Sequence, residues 1–165
     1  VLLEAHRAWR LIPSCEGAVP VEWTHRGTPL AEGAAAVLLS RKTGIAKVCF
    51  GEGCTHFSKT DASAMLDQTL ADVTQGSPPD LVVSAACKTW SGVEISRALA
   101  KSFPGFSDSA LKPNIAMGEC LGAGALLQVV LALEESQRTG AQHALVASLG
   151  WNQQAAAAMI ERTSP

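Results

Sequence analysis

The stretch "GECLGAGALLQVVLALEE", Gly118 to Glu135, constrains this chain more than any other. Its apolar run from Cys120 to Leu133 is interrupted only by Gln128 and is nearly all-round rather than confined to one stripe. Such a helix asks to be covered on every side. A two-layer domain leaves one flank of a helix wet, so the pattern predicts a helix layer sandwiched between two sheets. Three glycines, Gly118, Gly122 and Gly124, stand in what reads as its first two turns. Each costs about 1 kcal/mol relative to alanine in a helix interior. Without Cβ atoms, these positions let backbone or a ligand come close. Tight packing and ligand approach account for the glycines equally well.

The run is too short to cross a bilayer and reads as a core helix. At 165 residues, 47% hydrophobic and 17% charged, the chain has the length of one ordinary domain. A formal charge of -2, with 13 basic residues scattered along the sequence, leaves no footprint for nucleic acid or anionic lipid. The opening "VLLEAHRAWRL" starts on Val1 and lacks signal-peptide character, which suggests a piece of a longer protein. Five cysteines form no paired framework, so reduced thiols and a cytoplasmic setting are expected. Cys54 and His56 are half of a zinc site at most, with no second pair nearby, and neither a metal nor a cofactor is expected.

The order of elements points to α/β layers. Residues 1–11 have helical spacing, and a long irregular connection follows to Gly33. "GAAAVLLSR" (Gly33 to Arg41) and "IAKVCFGEG" (Ile45 to Gly53), joined by "KTG", read as an antiparallel pair. Thr60 and Asp61 are placed to cap the helix "ASAMLDQTLADV", with Ala62, Met65, Leu66, Leu70 and Val73 on its apolar stripe. "LVVSAA" has the unbroken apolar character of a strand covered on both faces. A second helix, Gly92 to Ser102, precedes the glycine-started helix, and "HALVASLG" and "AAAAMIER" read as closing strands.

Four of these stretches, in this order, resemble the C-terminal half of the β-ketoacyl synthases, condensing enzymes with the thiolase-like αβαβα fold. "LAEGAAAVLLSR" is similar to the family's Gly-Glu-Gly-Ala strand, and "PDLVVSAACKTWSGVE" to its Asp-Tyr-Val-x-Ala-His-Gly-Thr segment. "KPNIAMGECLGAGAL" resembles the lysine-bearing segment with its Gly-His, and "SLGWNQQAAAAMIER" the Ser-Phe-Gly-Phe-Gly-Gly-Thr-Asn segment with its closing strand. The resemblance implies an α/β fold in thiolase-like layers, with residues 1–165 as a single C-terminal half-domain and the N-terminal half outside this chain.

Family chemistry needs a cysteine at a helix start to hold an acyl thioester, two histidines at the developing enolate and a lysine behind one of them. Carried over position by position, the first histidine falls on Ala85, the lysine on Asn114 and the second histidine on Glu119, while the cysteine's segment lies upstream of Val1. Alanine has no donor, and an ionised glutamate repels an enolate. No catalytic residue is therefore expected in this chain. Thr89, Glu119, Cys120 and Trp151 are candidates for lining a remaining pocket. Trp151 reads equally as a fixed wall or as core filling, because Asn152 and Gln153 replace the family's flexible glycines. Cys120 reads as a buried inert thiol.

The resemblance implies a degenerate synthase of fatty-acid or polyketide assembly that serves as a structural or chain-length partner. The expected partners are its own N-terminal half or a homologous ketosynthase subunit, in a homo- or heterodimer, together with acyl carrier protein. Two alternatives stand beside it: an acyltransferase whose cysteine lies in the N-terminal half, and a module that binds an acyl or aromatic ligand.

Overall fold

The computed structural model describes residues 21–22, 29–30, 33–41, 44–51, 54–55, 59–75, 77–85, 90–106, 109–118, 120, 123–150 and 154–163. Its strongest organising element is the closing hairpin the sequence predicts, β6 (His143–Leu149) and β7 (Gln154–Arg162), paired antiparallel from His143 against Glu161 to Leu149 against Ala155. On one flank β5 (Leu81–Ser84) runs parallel to β6, with Val82 beside Leu145. On the other, β3 (Ala46–Phe50) lies antiparallel to β7, and the two-residue β4 (Cys54–Thr55) pairs with the start of the same strand. The sheet order is therefore β3-β7-β6-β5, a mixed sheet.

Strand residues point alternately to the two faces, and the two apolar clusters follow that period of two. Leu145, Ala147, Leu149, Ala155, Ala157 and Met159 face one side with Val82. Ala144, Val146, Ala158 and Ile160 face the other with Val83. Opposed residues of β6 and β7 share a face throughout, Leu145 with Met159 and Val146 with Ala158 among them. A one-residue slip would exchange the two cores, so the register is tightly specified.

The first face is covered by α1 (Lys59–Thr74) and α2 (Trp90–Ser102). Ala62, Leu66, Leu70 and Val73 of α1 are buried and Met65 is half-buried, as the helical spacing predicts. Ile95, Ala98 and Leu99 of α2 join them. Fully burying a leucine or isoleucine side chain contributes about 1.5–3 kcal/mol each, and Leu66, Leu70, Ile95 and Leu99 are all within 1% of complete burial. Thr60 and Asp61 lie inside the first turn of α1 rather than before it, since the helix starts at Lys59.

The second face is covered by α4 (Gly124–Thr139), whose Val129 and Ala132 pack on Val83, Val146 and Ile160. A left-handed glycine, Gly140 (φ 82°), ends α4, donating its N–H to the Ser136 carbonyl, and the chain turns directly into β6. The layers are thus two helices, a sheet and a helix.

Three expectations need correction. Residues 33–41 form no strand: β3 pairs with β7, and Leu38 and Leu39 stand 97% and 74% exposed. The tight turn "KTG" suggested a local hairpin, but the nine-residue β7 offers β3 a longer partner. The helix does not start near Gly118, which instead caps the short α3 (Pro113–Met117) at φ 81°, so α4 begins only at Gly124. Nor is α4 enclosed by two sheets among the described residues. Gln128, Val129, Ala132 and Ser136 are buried against the one sheet, while Leu126, Leu127, Val130 and Leu131 on its other flanks are half-buried.

Within the stretch read as an irregular connection, β1 (Val21–Glu22) and β2 (Pro29–Leu30) form a small antiparallel pair. The helix expected over residues 1–11 lies outside the described residues. No described helix is long and apolar enough to cross a membrane.

Candidate functional site

The backbone between β5 and α4 builds the site. After α2, a 3-10 turn (Pro104–Phe106) swings the chain back to the sheet. Leu111 then bonds alongside β5, its N–H donating to the Val82 carbonyl at 2.9 Å and its carbonyl accepting from Ser84 N–H at 2.9 Å. This places Lys112 as the N-cap of α3, with Pro113 in the first turn, where its missing N–H is harmless. Gly118 adopts the positive φ that closes α3; a side chain would be strained there. Two residues on, the Cys120 carbonyl accepts the N–H groups of Ala123 (3.0 Å) and Gly124 (2.6 Å), launching α4.

Between α3 and the first turns of α4 lies a small cleft with room for about one water molecule, bordered by Asn114, Gly118, Cys120, Gly124, Leu127 and Gln128. Its polar side chains are deeply placed: Asn114 is 5%, Cys120 6% and Gln128 1% exposed. Gln128 Nε2 donates to Asn114 Oδ1 at 3.4 Å, while Gln128 Oε1 has no hydrogen-bond partner among the described residues. Nearby, a Cβ added to Gly33 would stand 3.1 Å from Cys120 Sγ and 3.2 Å from Leu127 Cδ1. The glycine at 33 is therefore what lets this backbone run across the thiol.

Besides Gly118 and Gly124, two of the residues singled out from the sequence meet here. Asn114, at the carried-over lysine position, and Cys120 border the same cleft. Ala85 does not join them: it packs at the end of β5 in the α1–α2 core, its N–H donating to the Ala147 carbonyl at 3.1 Å. Thr89, Glu119 and Trp151 lie outside the described residues. Gln128 is the residue that sequence reading passes over as a site member. Its signal is there all the same, a single carboxamide set within an otherwise apolar run, where a buried polar group needs a partner.

The chemistry of this lining is neutral. Carboxamides neither gain nor lose a proton near neutral pH, so Asn114 and Gln128 supply hydrogen bonds and not general acid–base catalysis. The described histidine, His143, stands at the start of β6, beside the turn that ends α4 and so at the far end of that helix from Gly124. There it faces Asp80 at 3.5 Å. Cys120 precedes the first helical residue by four positions, and its carbonyl engages the helix N–H groups.

No protein-family model matches the sequence, and no curated protein matches it. Solved structures do match the fold. Human mitochondrial 3-ketoacyl-CoA thiolase superposes with a TM-score of 0.57 at 16% identity over 74% of this chain, and its complex with CoA with a TM-score of 0.58 at the same identity and coverage. The Bacillus anthracis acetyl-CoA acetyltransferase superposes with a TM-score of 0.59 at 13% identity over 96% of this chain. The chain spans 32% of the human enzyme's length and 43% of the bacterial one's. With its mixed sheet between helical layers, this chain has the thiolase-like α/β fold.

Proposed function

We propose that this chain is a ketosynthase-like member of the thiolase-like superfamily, corresponding to the C-terminal half of that fold. In this reading it performs no condensation itself and acts as a structural or chain-length partner of an active synthase in fatty-acid or polyketide-type assembly. The observation that carries the reading is the cleft at the start of α4. Where a condensing site needs an imidazole and a supporting cation, the described lining holds two carboxamides and a buried thiol. Ala85, at the other carried-over histidine position, lies in the core with a methyl group for a side chain.

The partner is a homologous subunit or the complementary half of the fold, with acyl carrier protein as the source of acyl groups. The half-buried flank of α4 and the exposed Leu38 and Leu39 support a covering chain, since contiguous apolar surface marks interaction sites. The thiols of Cys49 and Cys120, neither of them in a disulfide, support a reducing, cytoplasmic compartment.

Intact-mass measurement after incubation with acyl and malonyl thioesters of carrier protein tests the reading. No mass gain and no CO2 release are expected from the chain alone, with turnover only alongside a synthase that brings its own cysteine and histidines. Acylation or decarboxylation by the chain alone would replace this reading with an acyltransferase.

A further inference from the structure

We infer that the outer edge of β3 is a self-association site, at which a second copy of this chain adds its own β3 antiparallel about a two-fold axis through Val48. The inference goes beyond the cleft and its acyl chemistry and stands independently of both.

β3 is the end strand of its sheet and is paired on one side only among the described residues. In an antiparallel ladder the N–H and C=O of one residue point to the same side, and successive residues alternate. Gly51 donates its N–H to the Ala157 carbonyl at 2.9 Å, and the Ile45 carbonyl accepts the Thr163 N–H at 3.3 Å, so the odd-numbered residues of this stretch face β7. Ala46, Val48 and Phe50 therefore turn their backbone groups outward, where no strand meets them among the described residues. Such a row is a template for another strand.

The row is its own complement. With three outward residues centred on Val48, one antiparallel register lets every outward group find a mate: Val48 opposite the partner's Val48, and Ala46 opposite the partner's Phe50. Each such pair exchanges two backbone hydrogen bonds. The side chains match as well. Ala46 and Val48 pack on the α4 side of the sheet, and Phe50 follows on that side by alternation, 68% exposed. The small Ala46 leaves room for the partner's Phe50, so the pairing covers both exposed rings at once. On the other side Lys47 comes opposite the partner's Cys49, and no like charges are opposed. The Lys47 ammonium is tied back to Glu161 of its own chain at 3.1 Å. An extended segment of another protein could bond the same row, but the copy is favoured because one register satisfies backbone, volume and charge together.

Sedimentation velocity of the unaltered chain, up to about 100 μM, is expected to show a dimer with a dissociation constant below that concentration. Val48→Pro removes an N–H that β7 does not use and the partner does, a change an edge strand tolerates. Phe50→Lys puts a charge in place of the exposed ring. Each should weaken the dimer at least about tenfold, the worth of one net hydrogen bond or more, with an unchanged circular dichroism spectrum.

A monomer throughout that range would overturn the proposal, as would a dimer that either folded variant leaves within tenfold of the unaltered affinity. Phe50 is exposed, so Phe50→Lys decides the matter even where Val48→Pro does not fold. Self-acylation would sink the silent-partner reading and leave the dimer standing. A monomeric chain would sink the dimer and leave the acylation result standing.

Discussion

Asp80 and His143 are stitched together at the point where β5 and β6 begin. Asp80 Oδ2 accepts the backbone N–H of His143 at 2.9 Å and that of Gln142 at 3.0 Å, while the Asp80 N–H donates to the His143 carbonyl at 2.8 Å. One carboxylate thereby fixes the turn that brings α4 back onto the sheet.

This stitch makes stability depend on acid. The backbone donor of His143 above all, and that of Gln142, hold the Asp80 carboxyl below the usual carboxylate range, against a smaller upward push from partial burial. A folded-state pKa below the unfolded one gives stability that is complete above the ordinary aspartate value and fades as pH falls through the folded one. Asp80→Asn should cost about 1 kcal/mol at neutral pH, discounted for a side chain half open to water. The difference between the two proteins should shrink towards pH 3 in urea titrations. A constant difference across that range would show that the charge is not what matters.

Gly51 is the next point of vulnerability. A Cβ there would meet Val73 Cγ1 at 2.8 Å, Thr69 Cγ2 at 3.0 Å and the Thr69 carbonyl oxygen at 3.1 Å. The Gly51 N–H also donates to the Ala157 carbonyl, so the chain has little freedom to retreat. Gly51→Ala should destabilise by about 1–3 kcal/mol, in line with overpacking elsewhere. Gly105→Ala, which would meet nothing within 4 Å, serves as the control and should stay within about 0.5 kcal/mol. Chemical denaturation midpoints compare the two.

The ion pairs between α1 and α2 should matter far less. Asp67 lies 2.6 Å from Lys101 Nζ and 3.6 Å from Arg97 Nη2, and Arg97 also bonds Ser63 Oγ and Glu94. All of these cations are substantially exposed, where such pairs are worth about 0.2–1 kcal/mol and are screened by salt. Asp67→Asn should lower the melting temperature slightly at low ionic strength and not measurably in molar salt. A loss that persists in salt would point to a packing role for Asp67.

Leu38 and Leu39 test the proposed covering chain. Both are exposed, so changing them to aspartate should alter the chain's own unfolding by no more than about 0.5 kcal/mol. Retention of a co-expressed synthase subunit should fall sharply in the same double variant. Unchanged co-purification would remove this segment from the interface.

Much of the fold was legible in the sequence because it is written in local periods. Ala62, Leu66, Leu70 and Val73 repeat at helical spacing, and Ala144 to Leu149 alternate between two apolar faces, which is why α1, β6 and β7 appear where the pattern places them. Where the outcome depended on competition at a distance, the pattern misled: β3 has a turn and a neighbour in sequence, yet it pairs with β7 more than a hundred residues on. The glycines also misled, since conformation rather than spacing decides Gly118, whose φ of 81° ends one helix before another begins. At the cleft, Asn114 was legible as a position of a family pattern and Cys120 as a buried thiol in the glycine-bearing stretch. Their companion Gln128 was not, because its role arises from a contact across fourteen residues.

The nearness of Gly33 to Cys120 ties two remote parts of the chain together at one sulfur. The pace at which a thiol-specific dye colours Cys120 should therefore register how closely residues 33 and 120 keep company, and a bulkier residue at 33 should quicken it.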